Sequence, residues 1–240
     1  MLKKLIILVL VIAVVFLAGL YLYRNMIVEA AIEESGTYVM KTDTRLGSAG
    51  LELSAGSLEL SDYTIANPEG FKSDNFLKID HGFLDIETGS IFDKEFVVDS
   101  LILDGITINL EQLNSKNNIK ELLNNLKQFE MGESESEQKI KINKVSVRNI
   151  NVNGVIEVLN QKPYEKSFNV KDFTMTNLGG NDGAPLEEVT QKLLNELLKR
   201  TSVSAQDILP DFNQKVDELK DEAKDKIESE AKDQLKKIGL

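Results

Sequence analysis

Cysteine and tryptophan are absent from the 240 residues, histidine occurs once and proline four times. Without thiols the chain has no disulfide, no thiolate metal site and no cysteine nucleophile, which fits a periplasm or cell surface without requiring one. The single His81, flanked by Asp80 and Gly82, has no second histidine for a His-x-x-x-His pair, and spacing nominates no Ser-His-Asp set. Gly179-Gly180 stands in a loop without the strand and helix context of a phosphate cradle. No acidic loop has EF-hand spacing, and ESESE at 133–137 reads as a solvated acidic stretch. Basic charge is scarce: 28 Lys and Arg face 39 Asp and Glu, a formal net charge of −11, with no basic patch interleaved with aromatics. That argues against nucleic acid as a partner. The sum of these absences is a chain expected to be no enzyme and to use no cofactor or metal.

What is present starts with LIILVLVIAVVFLAGLYLY, residues 5 to 23, which carries no charge. At about 1.5 Å per helical residue it reaches roughly 28 Å, near the thickness of a bilayer's hydrocarbon core. The run is longer than a secretory h-region, and Phe16 stands where an Ala-x-Ala cleavage site needs a small residue, so a retained anchor is favoured over a cleaved signal. LAGL is similar to a lipoprotein signal, but Leu20 occupies the place of the acylated cysteine. Lys3 and Lys4 precede the run and only Arg24 follows closely, which places the N-terminus in the cytoplasm and the bulk of the chain outside. Residues 25 to 36 are expected to continue the helix to a stop at Gly36, so that 1–36 form the anchor and a juxtamembrane helix.

From Tyr38 the texture becomes β-branched and alternating. Apolar or small residues recur with gaps of 2, 3, 2, 3 and 2 at Leu53, Ala55, Leu58, Leu60, Tyr63 and Ile65, again at Phe96, Val98, Leu101, Leu103, Ile106 and Ile108, and again at Ile140, Ile142, Val145, Val147, Ile150 and Val152. A shorter fourth copy runs through Phe168, Val170, Phe173, Met175 and Leu178. Offsets of 43 and 44 residues between copies are the signature of stacked β units with a continuous apolar face. A gap of three would send side chains to opposite faces of a regular strand. Either a bulge at Asp62, Gly105 or Asn149 restores the face, or the strand buries pairs on alternate sides as it twists, or a hairpin turns at Asp104-Gly105. Long curved strands are preferred, because Ser61-Asp62 and Arg148-Asn149 are poor hairpin turns in the same slot. Asn67, Pro68, Glu69 and Gly70 match a type I turn that ends one strand, and FLKIDHGFLDIE at 76–87 reads as another strand with a break near Gly82.

Helical patterns complete the chain. NNIKELLNNLKQFE, 117–130, places Ile119, Leu122, Leu123, Leu126 and Phe129 on one face, and the following MGESESEQK reads as a mobile loop. Beyond Pro185, Leu186, Val189, Leu193, Leu194, Leu197 and Leu198 form an apolar helix face. A charged helix after Pro210 carries a narrow stripe from Phe212 to Ile238, suited to packing on the domain or to binding a partner. The expectation is a mainly β protein with helical additions: an N-terminal transmembrane helix, a curved, groove-like antiparallel β-sheet over 37–180, and C-terminal amphipathic helices over 181–240.

The stretches GSLELSDYTIANPEGF and NFLKIDHGFLDIETGSIFDKEFVVDSLILDGITINLE, then NNIKELLNNL, all behind one N-terminal span, resemble the AsmA family of envelope proteins. The resemblance covers roughly residues 1 to 180 and is densest between 51 and 126. It implies an inner-membrane anchor and a periplasmic, strongly curved β-sheet whose apolar groove holds lipid acyl chains, with a role in lipid movement and outer-membrane biogenesis. Carried onto this chain, the groove would be lined by Val98, Leu101, Leu103, Ile106, Ile108, Ile140, Ile142, Val145 and Val147. With strands about 4.8 Å apart, six to eight strands make a groove only about 30 to 40 Å long, too short to cross a periplasm alone. A local lipid-holding or adaptor role follows. Two other readings stand beside it: a non-enzymatic scaffold that recruits a protein partner through its C-terminal helices, and a closed sandwich resembling water-stress domains.

Overall fold

The computed structural model describes residues 2–91, 93–114, 116–130, 139–157 and 162–208, with backbone alone for 2–20, 127–130, 187, 198 and 202–208. Helix α1 spans Leu2–Met40. It does not stop at Gly36, because the left-handed terminating residue is Lys41, with φ 53°, whose N–H donates to the Thr37 carbonyl. Gly36 serves close approach instead: a Cβ there would lie 2.6 Å from Thr44 Cγ2. The apolar run at 5–23 falls mainly where only backbone is described. Among the described residues no helix is long and apolar enough to cross a membrane.

The remainder is mainly β: strands β1 (Thr44–Arg45), β2 (Ser48–Glu52), β3 (Ser57–Ala66), β4 (Asn75–Ile86), β5 (Glu95–Leu113), β6 (Lys116–Asn117), β7 (Lys139–Glu157), β8 (Tyr164–Val170) and β9 (Phe173–Leu178). They form one curved, open sheet in the order β1-β3-β4-β5-β7-β8, with β2 extending the β1 edge, β9 extending the β8 edge and β6 folding back on β5. The sheet is mixed, not purely antiparallel as expected, since β5 and β7 pair in parallel from Glu95↔Lys139 to Leu113↔Glu157. The physical reason is helix α2 (Asn118–Glu130), which lies between them in sequence and supplies the crossover that parallel neighbours need. Asn117 caps it, its Oδ1 accepting from the Lys120 N–H at 3.0 Å.

The repeat is the register. Leu60, Gly82, Leu103, Val147 and Phe173 sit opposite one another in successive strands, as do Tyr63, Ile79, Ile106, Ile150 and Val170, and Ile65, Leu77, Ile108, Val152 and Phe168. Each copy thus contributes one residue to each apolar row. Between the first and second of these rows the paired register steps over Asp62, Asp80, Gly105 and Asn149 together. Asp62, Gly105 and Asn149 hold φ of 53°, 73° and 53°. The line continues to both edges, where β1 breaks from β2 at Leu46-Gly47 and β8 from β9 at Lys171-Asp172. The second gap of three in each copy is therefore a bulge that returns the chain to the same face, aligned across the sheet as one crease, while at the first gap the β5–β7 register steps separately over Asp99 and Asn143. β5 and β7 each run 19 residues through it, so Asp104-Gly105 is not a hairpin.

Helices α2 and α3 (Leu186–Ile208) cover the apolar face. Leu122 of α2, Val189 and Leu197 of α3 and Met40 at the end of α1 join the strand residues in one buried cluster. Ile119 and Leu193 pack against it, and Asn125 Nδ2 donates to the Met40 carbonyl at 2.8 Å, closing the α1 terminus. Burial pushes the Tyr63 phenol up to about 12, with the Thr44 hydroxyl opposing, so it stays neutral at ordinary pH. Phe129, the loop at 131–138 and the stripe from Phe212 to Ile238 lie outside the described side chains. The crease predicts its own mutational signature. At φ 73° a Cβ on Gly105 would meet Asp80 Oδ2 at 2.5 Å, so Gly105→Val should lose about 1 to 3 kcal/mol in urea unfolding. Asn149→Gly should cost less than Gly105→Val, because glycine adopts that φ freely and the loss is confined to an exposed side-chain bond to Asp104.

Candidate functional site

The candidates for lipid contact do share one face. Val98, Ile106, Ile108, Val145 and Val147 are at most 2 % exposed, Leu101 and Ile142 are buried, and Leu103 and Ile140 are partly buried against the same cluster. They form a continuous aliphatic wall across β5 and β7, and α2 and α3 lie on it. A cleft of about 640 Å³ lies elsewhere, between α1 and β1, lined by Ala30, Glu33, Thr37, Tyr38, Asp43 and Arg45. On the opposite side of the sheet, asparagines tie the strands together: Asn143 Nδ2 donates to Asp99 Oδ1 at 2.8 Å, Asn149 Nδ2 to Asp104 Oδ1 at 2.6 Å and Asn153 Nδ2 to Asn109 Oδ1 at 2.9 Å. Lys78 bridges Asp80 and Asp62 there at 3.0 and 3.2 Å, and those bonds hold its ammonium above the ordinary lysine value. His81 is exposed on β4 opposite Ser61 and Asp104. Among the described residues no group of three or more His, Asp or Glu is placed to hold a metal.

The second constellation joins the sheet to α1, and sequence reasoning missed it. The N–H groups of Leu51, Ala49, Leu46 and Thr44 donate to Asn25 Oδ1, Glu29 Oε1, Glu33 Oε1 and Thr37 Oγ1, at 3.0, 3.0, 2.8 and 2.9 Å. Residues four apart share a helix face and advance about 6 Å, close to the advance of two strand residues. The one three-residue step, Ala49 to Leu46, falls at the crease. Arg24 adds the reverse bond, Nε to the Leu51 carbonyl at 2.8 Å, while stacking on Tyr21. An acceptor at 25, 29, 33 and 37 was the available signal.

The third constellation explains the turn motif. Gly70 holds φ 91°, so the tight turn falls on Glu69-Gly70 in type II manner, one residue later than a type I turn from Asn67. Asn67 instead binds inward. Its Nδ2 donates to Ser73 O at 2.8 Å and Glu111 Oε1 at 3.3 Å, and its Oδ1 accepts from Asn118 Nδ2 at 2.9 Å. Glu111 is 1 % exposed and takes the N–H groups of Lys72 and Ser73, each at 2.7 Å, while Asn118, fully buried, binds Asn109 O and the Glu111 N–H. The carboxylate is saturated with donors, which makes it a structural anchor for the loop and for the start of α2.

No protein-family model matches the chain, and no curated protein does. The likeness to AsmA therefore rests on the residue pattern. For the polar network, Glu111→Ala orphans the Lys72 and Ser73 N–H groups at about 1 to 3 kcal/mol each. Hydrogen exchange over residues 67–74 should accelerate sharply in that variant, with the strands β7 to β9 unchanged.

Proposed function

We propose that the chain is a non-enzymatic, membrane-tethered scaffold of the bacterial envelope, AsmA-like in plan, with α1 continuing an inner-membrane span and the sheet standing on the periplasmic side. The observation that carries this reading is the fastening of the β1–β2 edge to α1. A sheet bonded to the helix that follows an uncharged 19-residue run moves as one body with it. Since α2 and α3 lie on the apolar face, the surface left for a protein partner among the described residues is the polar side of the sheet.

A second reading keeps lipid as the cargo. In its favour, the aliphatic rows run unbroken across β5 and β7 and are covered by helices, so a displaced α3 would leave a trough matched to an acyl chain. The protein would then hold lipid locally and assist lipid transport or outer-membrane assembly. Native mass spectrometry of the full chain extracted from bacterial membranes without added lipid separates the readings. The scaffold reading expects the bare chain mass; a stoichiometric acyl lipid that survives every detergent contradicts it and establishes the second. Both readings require the chain to stay in the membrane pellet on carbonate extraction.

A further inference from the structure

Tyr23, Met26 and Ile27 are 60, 63 and 49 % exposed on α1, and Ala30 and Glu34, also exposed, follow one and two turns further on. At about 100° per residue, these side chains leave the helix within an arc of about 100°. The arc is centred about a quarter turn from the side that carries Asn25, Glu29, Glu33 and Thr37, so the sheet leaves it uncovered. Ala30 and Glu34 also line the cleft between α1 and β1, so the arc runs directly into that cleft, toward Asp43 and Arg45. Arg24 ends the uncharged run, so Met26, Ile27 and Ala30 stand beyond it, on the part of α1 that carries the sheet.

The charges select a second copy of this chain as the occupant. Glu34 is the one charge in the arc, and a two-fold axis beside α1 brings it toward its own counterpart, a repulsion that a cation at the same level relieves. Arg45 is that cation. The Leu46 N–H bonds Glu33 and the Thr44 N–H bonds Thr37, which sets Arg45 level with Glu34 in the same cleft. Its pair with Asp43, at 3.5 Å and exposed on both sides, is of the weak surface kind. Ala30, in the middle of the arc, lets two helix backbones approach closely. Direction follows from the anchor reading above, on which the proposal rests: copies tethered in one membrane run parallel. The same constraint excludes pairing the β8 edges of two copies as antiparallel strands, because α1 lies along the strands and the two tethers would point opposite ways.

We propose that α1 pairs with α1 of a second copy in a parallel two-fold dimer along Tyr23, Ile27, Ala30 and Glu34, each Glu34 meeting the partner's Arg45 in the cleft. The absence of cysteine lets single Ile27→Cys, Ala30→Cys and Ser35→Cys variants of the full chain report same-residue proximity in bacterial membranes under copper-phenanthroline oxidation. Ser35 is exposed about a third of a turn from the arc's centre and serves as the control. The expected result is a disulfide-linked dimer as the main species at 27 and 30 and background at 35. Arg45→Glu in the Ala30→Cys chain should lower the dimer yield several-fold, and adding Glu34→Arg should restore it. Background yield at 27 and 30, or equal yield at 35, in a chain that resists carbonate extraction overturns the dimer and leaves the anchor standing, with the arc left to lipid headgroups or another protein. An unchanged yield in Arg45→Glu overturns the contact between Glu34 and Arg45. Release by carbonate overturns the anchor, and oxidation of the released chain then decides the pairing on its own.

Discussion

The outer edge of a β-sheet exposes N–H groups that either find acceptors or invite another strand. Here a helix supplies the acceptors from its side chains, at Asn25, Glu29, Glu33 and Thr37. The two hydrogen bonds that end on carboxylates, Glu29 and Glu33, are of the stronger kind at about 1.5 to 3 kcal/mol each, and the two that end on a neutral amide or hydroxyl contribute about 0.5 to 1.5 kcal/mol each. Much of the architecture depends on this contact. It closes one edge of the sheet, sets the level of the crease against the helix, and brings Met40 and the α1 terminus to α2, which completes the cover over the apolar face.

The crease is the complementary device. The 19-residue strands β5 and β7, and β3 in the same sheet, each carry one left-handed residue at a common level, which bends them together. Because the bulges are aligned, β3, β4, β5 and β7 stay in register across the crease, and the apolar rows continue on both sides of the fold line. The curvature of the sheet thus has a local cause in Asp62, Gly105 and Asn149.

Much of this was legible in the residues. The spacing of 2 and 3 located β3, β5 and β7, the bulge sites and the shared apolar face. Strand direction was not legible, because a spacing of 2, 3, 2 reads the same backwards. Leu77, Ile79, Gly82 and Leu84 in β4 are a reversed copy, as are Phe168, Val170, Phe173 and Met175, whereas β7 repeats β5 in parallel. The helix between the second and third copies held the clue to the parallel pair. Glu111 and Asn118 escaped notice because a charged residue in an alternating strand reads as solvent-facing until the loop that buries it is in place. The filling of the apolar face by α2 and α3 was also hidden, since an amphipathic helix pattern shows that a face is buried but not against what.

The central claim is that α1 serves as the missing neighbour of the β1–β2 edge. The most direct test is residue-resolved hydrogen exchange of the Leu46, Ala49 and Leu51 amides in the full chain. Protection comparable to the interior of β4, lost at Leu46 and Ala49 but kept at Leu51 when Glu29 and Glu33 are both changed to alanine, is the result the account predicts. Exchange as fast as that of an unpaired edge in the unaltered chain would contradict it.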